Sequence, residues 1–411
     1  MKKIAFVLMI TVLLVSVMLV MSSCQEESVT TLYVYNWGEY ISDGSEGTLN
    51  TNEEFEKYYL ETYGEQIKVN YSTFSSNESL YDKISSGAVN YDVIIPSDYM
   101  IERMINEGLL AKLNFENIPN YQYIHDDFKG QNTFYDPNNL YSVPYTYGMV
   151  GIIYNKALVE ENDSDIGSWS LMWDEDYSGN ILQFNNSRDA FGTALYYLGY
   201  DVNEATEEQW REALELLKAQ KEIVQGYVMD EVFNKMSGNS AAISAYYAGD
   251  YLTMYGNNDK LAFYYPKEGT NIYIDAMCVP SSSENQLIAE RYINFMLSEE
   301  IAVANAEYTC YASPNTLVTQ NPDYQEYMNA IHPDAMNILY NKDHPVKTLF
   351  YKNLSREKLT MLNGLWEELK IDSSIGNSFY IICGVLVTII VAFALFHVIR
   401  QKKRAKYYEN L

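Results

Sequence analysis

Four apolar, strand-like segments of the sequence end in the same mixture of aromatic rings and carboxylates. The residues are Trp37, Glu39 and Tyr40, then Ser97, Asp98 and Tyr99, then Tyr246, Tyr247 and Asp250, and finally Tyr273 and Asp275. Carboxylates pair with a cation that has hydrogen-bond donors and no acceptors, and aromatic faces attract the same cation while they cover its methylene groups. The mixture therefore predicts a site for an alkylammonium ligand.

Each of these groups also has an ordinary structural interpretation. A Tyr or Trp at the end of a strand commonly packs against its neighbours, and Asp98, just before a predicted helix at Tyr99, suits a helix N-cap. The repetition favours a binding site, because the carboxyl ends of the strands in an open α/β sheet border the ligand crevice.

Composition and motifs argue against most other classes of function. The formal net charge of −27 opposes nucleic-acid binding, which needs a basic face. The sequence has four His and four Cys and lacks the common hydrolase, phosphate-loop and zinc-protease motifs, so we predict no enzyme, metal site or cofactor. The segment 174–185 begins like a calcium loop but ends in Asn185 instead of Glu, which predicts a turn. Cys278 and Cys310 are compatible with a disulfide or with two free thiols.

Short apolar runs alternate with amphipathic segments between residues 31 and 377. The predicted strands are Leu32–Trp37, Ile67–Tyr71, Asp92–Pro96, Gly148–Tyr154, Asn180–Phe184, Ala241–Tyr247, Leu261–Tyr265 and Ile272–Val279. The predicted helices are Thr51–Thr62, Glu78–Ser85, Tyr99–Glu107, Ala190–Leu198, Glu207–Ile223 and Gln286–Leu297. This alternation predicts parallel α/β sheets with helices on both faces, and the length favours two lobes that exchange strands.

The first 24 residues have the features of an export signal. Two lysines precede an apolar run from Ile4 to Val20, and Ser22, Ser23 and Cys24 follow shortly after it. A Cys after small residues resembles the bacterial lipoprotein signal, in which that Cys is acylated. An uncleaved signal anchor, with Cys24 an ordinary thiol, is the alternative.

A second apolar stretch lies near the C-terminus. Residues 380–399 contain no charged side chain, a length sufficient to cross about 30 Å of hydrocarbon, and basic residues crowd the segment 400–411. We therefore expect a transmembrane helix at 380–399 and a cytoplasmic tail at 400–411, with the body on the outer face of the cell membrane, extracellular or periplasmic. A buried core helix is the alternative for 380–399.

Several motifs occur together in the order and spacing of one known family. They are Leu32–Tyr40, Ser72–Glu78, Tyr91–Ser97, Tyr141–Tyr145, Ser168–Trp169 with Trp173, Pro266–Gly269 and Tyr311–Asn315. From about Thr31 to Lys370 the chain resembles the bacterial spermidine/putrescine-binding proteins of ABC importers. The resemblance implies a two-lobed periplasmic-binding-protein fold, a polyamine in the cleft between the lobes, and permease and ATPase subunits as partners.

The resemblance also implies how the chain divides. After the signal peptide at 1–24, residues 31–145 and 274–313 form lobe 1, and residues 146–273 and 314–377 form lobe 2. The predicted C-terminal helix and tail are outside the usual pattern of the family.

The strand ends and the resemblance together give thirteen candidate ligand-binding residues. They are Trp37, Gly38, Tyr40, Ser97, Asp98, Tyr99, Asn186, Asp189, Tyr247, Asp250, Tyr273, Asp275 and Tyr311. By resemblance, Asp275 matches the main partner of a ligand nitrogen, and Asp250 matches an acid of putrescine-preferring members. Asn186 stands where spermidine binders often have Asp, which leaves the choice between the two polyamines open.

Two rival functions are compatible with the same fold. The cleft of a receptor for an amino acid or a sugar would look different, since a carboxylate ligand needs a basic partner and Arg188 is the one basic residue among the candidate cleft positions. A sensor or adhesion protein is the second rival, although residues 401–411 are too few for a signalling domain.

Overall fold

The computed structural model describes residues 29–130, 133–341 and 346–371, together with separate residues between 385 and 400. The predicted signal peptide at 1–24, with Cys24, lies outside the described residues. So does the predicted tail beyond Arg400. These two predictions therefore stay predictions.

The expectation of a transmembrane helix at 380–399 is corrected. Within the part of the chain that the structure describes, none of the helices combines the length and the apolar character that a membrane crossing requires. An apolar composition indicates a membrane span only where it coincides with an unbroken helix of about 20 residues. Residues 372–384 lie outside the described residues, and 385–400 are described only at separate positions.

Ten strands and thirteen α-helices form the described part of the fold. The strands are β1 Thr30–Trp37, β2 Ile67–Phe74, β3 Val93–Ile94, β4 Ser142–Asn155, β5 Ile181–Phe184, β6 Val224–Val228, β7 Ile243–Tyr247, β8 Leu261–Tyr264, β9 Thr270–Cys278 and β10 Thr348–Phe350. The helices are α1 Thr51–Tyr63, α2 Asn77–Ser86, α3 Asp98–Asn106, α4 Ser187–Tyr197, α5 Glu207–Lys221, α6 Glu231–Ser237, α7 Ala248–Asn257, α8 Gln286–Met296, α9 Glu299–Thr309, α10 Thr316–Thr319, α11 Pro322–Ile331, α12 Ala335–Tyr340 and α13 Arg356–Lys370.

The strands join in the order β2-β1-β3-β9-β4-β7-β5-β6, with β10 beside β9 and β8 beside β4. The outer strands are parallel, as predicted: β1 pairs with β2 and β3, and β5 pairs with β6 and β7. The prediction of parallel pairing is wrong for β4 and β9, which are antiparallel to each other. These two strands carry the chain between the lobes in opposite directions instead of returning through a crossover helix.

Separate clusters of buried residues show the two-lobed α/β fold that the sequence predicts. One lobe is built on β1, β2 and β3 and buries residues such as Leu32, Phe55 and Ile293. The other is built on β5, β6 and β7 and buries Trp169 and Trp210. The long strand β4 belongs to both, because its first half pairs with β9 and its second half with β7 and β8.

The two described cysteines are both buried and both free. Cys278 packs in one cluster with Tyr35 and Ile94, and Cys310 packs in the cluster that contains Trp169. Of the two states that the sequence allows, the structure shows free thiols.

Candidate functional site

A cleft between the two lobes brings all thirteen candidate residues together. Its empty space measures about 820 Å³, part of it open to solvent, which is a size suited to a small molecule. The candidate residues that line it are Trp37, Gly38, Tyr40, Ser97, Asp98, Tyr99, Asn186, Asp189, Tyr247, Asp250, Tyr273, Asp275 and Tyr311. Further lining residues that the candidate list lacks include Glu78, Asp230, Asn271 and Tyr351, together with Arg188, which the sequence analysis named only as the basic residue of the cleft.

Asp275, on β9, is held by hydrogen bonds to both of its carboxylate oxygens. Its Oδ1 accepts a 2.6 Å hydrogen bond from the Ser97 hydroxyl, and its Oδ2 accepts a 2.5 Å hydrogen bond from the Tyr40 hydroxyl. Burial raises the pKa of Asp275 to about 6, although both hydrogen bonds oppose this rise. At neutral pH the group is therefore mostly an anion, fixed in orientation.

Neighbouring polar groups hold the two donors of Asp275 in place. The Asn77 side chain donates to the Ser97 hydroxyl and accepts from the Ser97 backbone N–H, each at 3.0 Å. The Tyr40 hydroxyl oxygen also lies 2.5 Å from Thr146 Oγ1. The orientation of Asp275 is thus set before a ligand arrives.

Asp189 lies in the first turn of α4, where Asn186 caps the helix. The Asn186 side chain accepts a hydrogen bond from the Asp189 N–H and donates one to its Oδ2, each at 2.8 Å. The Tyr247 hydroxyl, from β7, also donates to Asp189 at 2.7 Å. Burial raises the pKa of Asp189. Asn186 therefore positions Asp189 and caps α4 at the same time.

Asp250, in α7, accepts a 2.8 Å hydrogen bond from the Tyr311 hydroxyl. Burial raises its pKa to about 8, and the nearby charges of Asp230 and Glu39 add to the rise. At neutral pH the group is largely protonated without a ligand. A cation beside it would favour the ionised form.

A row of tyrosine rings connects Asp250 with Asp189. The ring centres of Tyr311 and Tyr273 are 6.5 Å apart, and those of Tyr273 and Tyr247 are 5.3 Å apart. The hydroxyl at one end of this row donates to Asp250 and that at the other end donates to Asp189. The wall therefore offers aromatic faces between two acidic ends.

Glu78 and Arg188 form a charged group that the candidate list lacks. Glu78 accepts a 3.0 Å hydrogen bond from the Tyr99 hydroxyl, and burial raises its pKa. The Arg188 guanidinium lies 4.5 Å from the ring centre of Tyr351 and 5.8 Å from that of Tyr99. Glu78 ends the motif Ser72–Glu78, so the sequence contained a signal for it.

Two candidate residues, Asp98 and Trp37, also make structural contacts within the protein. The Asp98 carboxylate accepts from the backbone N–H groups of Tyr99 and Ile274, at 2.6 and 3.2 Å, and so ties α3 to β9. The expectation that Asp98 is the N-cap is wrong, because α3 begins at Asp98 and Ser97 precedes it. Trp37 packs on Phe74, with 4.5 Å between ring centres.

Gly38 allows a close approach between the lobes. A Cβ at this position would lie 2.4 Å from Asp230 Oδ2, in the turn before α6. Any larger residue at position 38 would have to displace that carboxylate from the mouth of the cleft.

Three carboxylates outside the cleft have oxygens within 4.8 Å of one another: Asp163, Asp165 and Asp174. Each already accepts hydrogen bonds within its own loop, for example Asp163 from the Tyr177 hydroxyl at 2.7 Å. The segment after Asp174 is a short 3-10 turn, as the sequence predicts.

The match to a protein-family model decides the classification of the chain. Residues 52–331 match the model for bacterial extracellular solute-binding proteins. The chain belongs to this family. Its members bind a solute without changing it chemically, which agrees with the prediction that the chain is not an enzyme.

Curated relatives and solved structures agree with this membership. The chain is 30% identical to the spermidine/putrescine-binding periplasmic protein of Escherichia coli, over 77% of this chain and 87% of the relative. It is 27% identical to the putrescine/cadaverine-binding protein of Pseudomonas aeruginosa, over 87% of this chain and 99% of that relative. The solved spermidine/putrescine ABC transporter substrate-binding protein of Streptococcus pneumoniae superimposes with a TM-score of 0.62 at 32% identity, over 83% and 98%. A solved structure of a putative spermidine/putrescine ABC transporter from Listeria monocytogenes superimposes with a TM-score of 0.71 at 32% identity, over 83% of this chain and 99% of that one.

Proposed function

We propose that this solute-binding protein captures a polyamine, putrescine or spermidine, in its cleft and delivers it to the permease of an ABC importer. The observation that carries the proposal is the fixed carboxylate of Asp275 beside a tyrosine wall that ends in Asp189 and Asp250. A polyamine has ammonium groups separated by methylenes, and this arrangement offers acceptors separated by aromatic faces.

The free lone pairs of Asp275 support an ammonium ligand. An ionised carboxylate has about four acceptor sites, and Ser97 and Tyr40 use two of them. A buried anion is stable only when a cation or further donors compensate it. An ammonium group supplies both the charge and the donors.

The charge of the cleft argues against an anionic ligand. Arg188 is the one Lys or Arg among the lining residues that the structure describes. Its Nη2 donates to Asn203 and to the Lys352 carbonyl, each at 3.2 Å, and its guanidinium interacts with the charges of Glu78 and Asp189. A ligand carboxylate placed there would meet two protein carboxylates as well. A neutral sugar would leave the acidic groups without a counter-charge.

A panel of ligands tests this proposal. The melting temperature of the purified protein should rise on addition of putrescine or spermidine, because a ligand that binds only the folded state stabilises it. Glutamate and glucose at the same concentration should leave it unchanged. A rise with glutamate or glucose and none with either polyamine would overturn the proposal.

The relatives support an exported protein, since one of them is named as periplasmic. We propose that residues 1–24 direct export and that Cys24 is acylated. Replacing Cys24 by Ser should then abolish metabolic labelling with a radioactive fatty acid. Labelling that persists in this variant would contradict the assignment.

We also propose the lobe boundaries stated above, with residues 31–145 and 274–313 moving against residues 146–273 and 314–377. Ligand contacts from both lobes favour the closed state, because only differential contacts shift such an equilibrium. Solution scattering should show a smaller radius of gyration at saturating spermidine than in a ligand-free sample. A larger radius with ligand would contradict the proposal.

A further inference from the structure

One buried amide in the cleft lacks a hydrogen-bond donor. The side-chain oxygen of Asn271 has no donor among the described residues, although the residue is only 4% exposed and lines the cleft. Buried polar atoms are nearly always paired, and an unpaired one destabilises the protein because water no longer solvates it. The oxygen of Asn271 therefore calls for a partner that the described protein atoms do not supply.

The position of Asn271 in β9 places it on the same face as two candidate ligand-binding residues. Side chains two residues apart in a strand point to the same face. Asn271 thus shares its face with Tyr273 and Asp275, and all three line the cleft. Strand β9 packs beside α4, the helix whose first turn contains Asp189.

The missing partner of the Asn271 oxygen must be a hydrogen-bond donor, because an amide oxygen only accepts hydrogen bonds. A primary ammonium has three N–H donors and no acceptor, and burying it is costly unless each donor finds an acceptor. The acidic acceptors of the cleft are already shared with protein donors: Asp189 accepts from Asn186 and Tyr247, and Asp250 accepts from Tyr311. A neutral acceptor adds a hydrogen bond without adding repulsion between carboxylates.

We propose that Asn271 is a further ligand-binding residue, whose side-chain oxygen accepts a hydrogen bond from a nitrogen of the bound polyamine. The inference rests on the proposed function and names a contact that neither the strand ends nor the family resemblance assigned. Hydrogen bonds to charged groups are the stronger ones, so this contact contributes measurably to affinity.

The test is a calorimetric titration of the full-chain protein with spermidine and with putrescine. Asn271→Val introduces a strand-forming residue and removes the side-chain oxygen, and Asn271→Ala removes the oxygen with a smaller side chain. Both variants should bind at least one of the two polyamines about tenfold or more weakly than the parent. The melting temperature of the ligand-free variants should stay equal or rise, because an unpaired buried oxygen has been removed.

Thr270→Val provides the matched control. Thr270 is the preceding residue of the same strand, and its hydroxyl donates a 2.6 Å hydrogen bond to the Val150 carbonyl. This variant should lower the melting temperature and leave the affinity unchanged. It separates a structural loss in β9 from the loss of a ligand contact.

Three outcomes would overturn the inference, and the measurements distinguish them. If both Asn271 variants bind both polyamines as tightly as the parent, Asn271 makes no ligand contact, while the proposed function stands. If the parent itself binds neither polyamine, the proposed function fails and the inference fails with it. Reduced affinity together with a lower melting temperature in both variants would assign Asn271 a structural role instead.

Discussion

The hydroxyl of Tyr40 donates a 2.5 Å hydrogen bond to Oδ2 of Asp275, a carboxylate that is only 4% exposed. The hydrogen bond fixes the direction of the remaining lone pairs, and burial raises the pKa of the group to about 6. The protein therefore holds a pre-oriented, partly desolvated anion in the cleft. The electrostatic attraction between such a group and an ammonium ligand is stronger than that of an exposed carboxylate, because less water screens it.

Polyamine binding should strengthen as the pH rises from about 5 to 8. Burial raises the pKa of Asp275 to about 6 and that of Asp250 to about 8, so protons occupy these carboxylates below those values. An ammonium ligand favours the ionised forms and displaces the protons. Calorimetry at pH 7 in buffers of different ionisation enthalpy should show proton release on binding, and less of it for Asp250→Asn. An affinity that does not change over this range would contradict the account.

The ligand-free protein should become more stable as the pH falls from 8 towards 5. The pKa values of Asp250 and Asp275 are raised in the folded state, so the folded protein binds more protons than the unfolded chain in this window. Their stabilising effect is complete below the unfolded pKa and is lost as the pH rises through about 6 and about 8. Thermal unfolding across the window measures the trend.

The variant Asp250→Asn supplies the control for this pH dependence. Its melting temperature should change less than that of the parent between pH 7 and 8.5, because one titrating group is missing. An equally steep change in both proteins would assign the dependence to other groups.

A methyl group at position 249 should weaken ligand binding. A Cβ on Gly249 would lie 2.5 Å from the ring of Tyr311, whose hydroxyl donates to Asp250. Overpacking of this kind costs about 1–3 kcal/mol, so we expect Tyr311 to shift away from its place in the cleft and Gly249→Ala to lose up to that energy in binding, which is about five- to 150-fold in affinity. Calorimetric titration with spermidine measures the loss.

Gly364→Ala is the matched control for this substitution. Gly364 lies within α13, and nothing lies within 4 Å of its added Cβ. Ala there should stabilise the helix by about 0.5–1 kcal/mol and leave binding unchanged. Equal affinity losses in the two variants would show that the effect at Gly249 does not come from Tyr311.

Local patterns predicted helices and strands at close to their observed bounds. The helix expected at Thr51–Thr62 is observed at Thr51–Tyr63, because an amphipathic repeat and an N-terminal cap at Asn50 both mark it. All thirteen candidate residues line one cleft, since the ends of separate strands meet there. Their contact with a ligand remains a proposal.

Other features depend on three-dimensional arrangement and were missed. The antiparallel direction of β4 and β9 follows from how the chain passes between the lobes, which no local pattern encodes. Tyr351 comes from a segment without any recognised motif and reaches the cleft by packing over Gly192 in α4. Asn271 could have been predicted from the sequence, because strand alternation places it on the same face as Tyr273 and Asp275.

The C-terminal segment shows the limit of composition. The lack of charge between 380 and 399 predicted a membrane-spanning helix, and the described residues contain none that is long and apolar enough. A hydrophobic stretch is a necessary condition for such a helix, and the continuous helical backbone is a second condition that composition does not test.

The most direct test of polyamine binding at Asp275 is a calorimetric titration of the parent and of Asp275→Asn with putrescine and spermidine. The amide keeps the shape of the side chain and removes its charge, and a hydrogen bond to a charged group contributes about 1.5–3 kcal/mol. The account predicts that the parent binds and that Asp275→Asn binds about ten- to a hundredfold more weakly, with a well-folded ligand-free state. Equal affinity in the two proteins would show that Asp275 does not hold a ligand nitrogen and would contradict the proposed site.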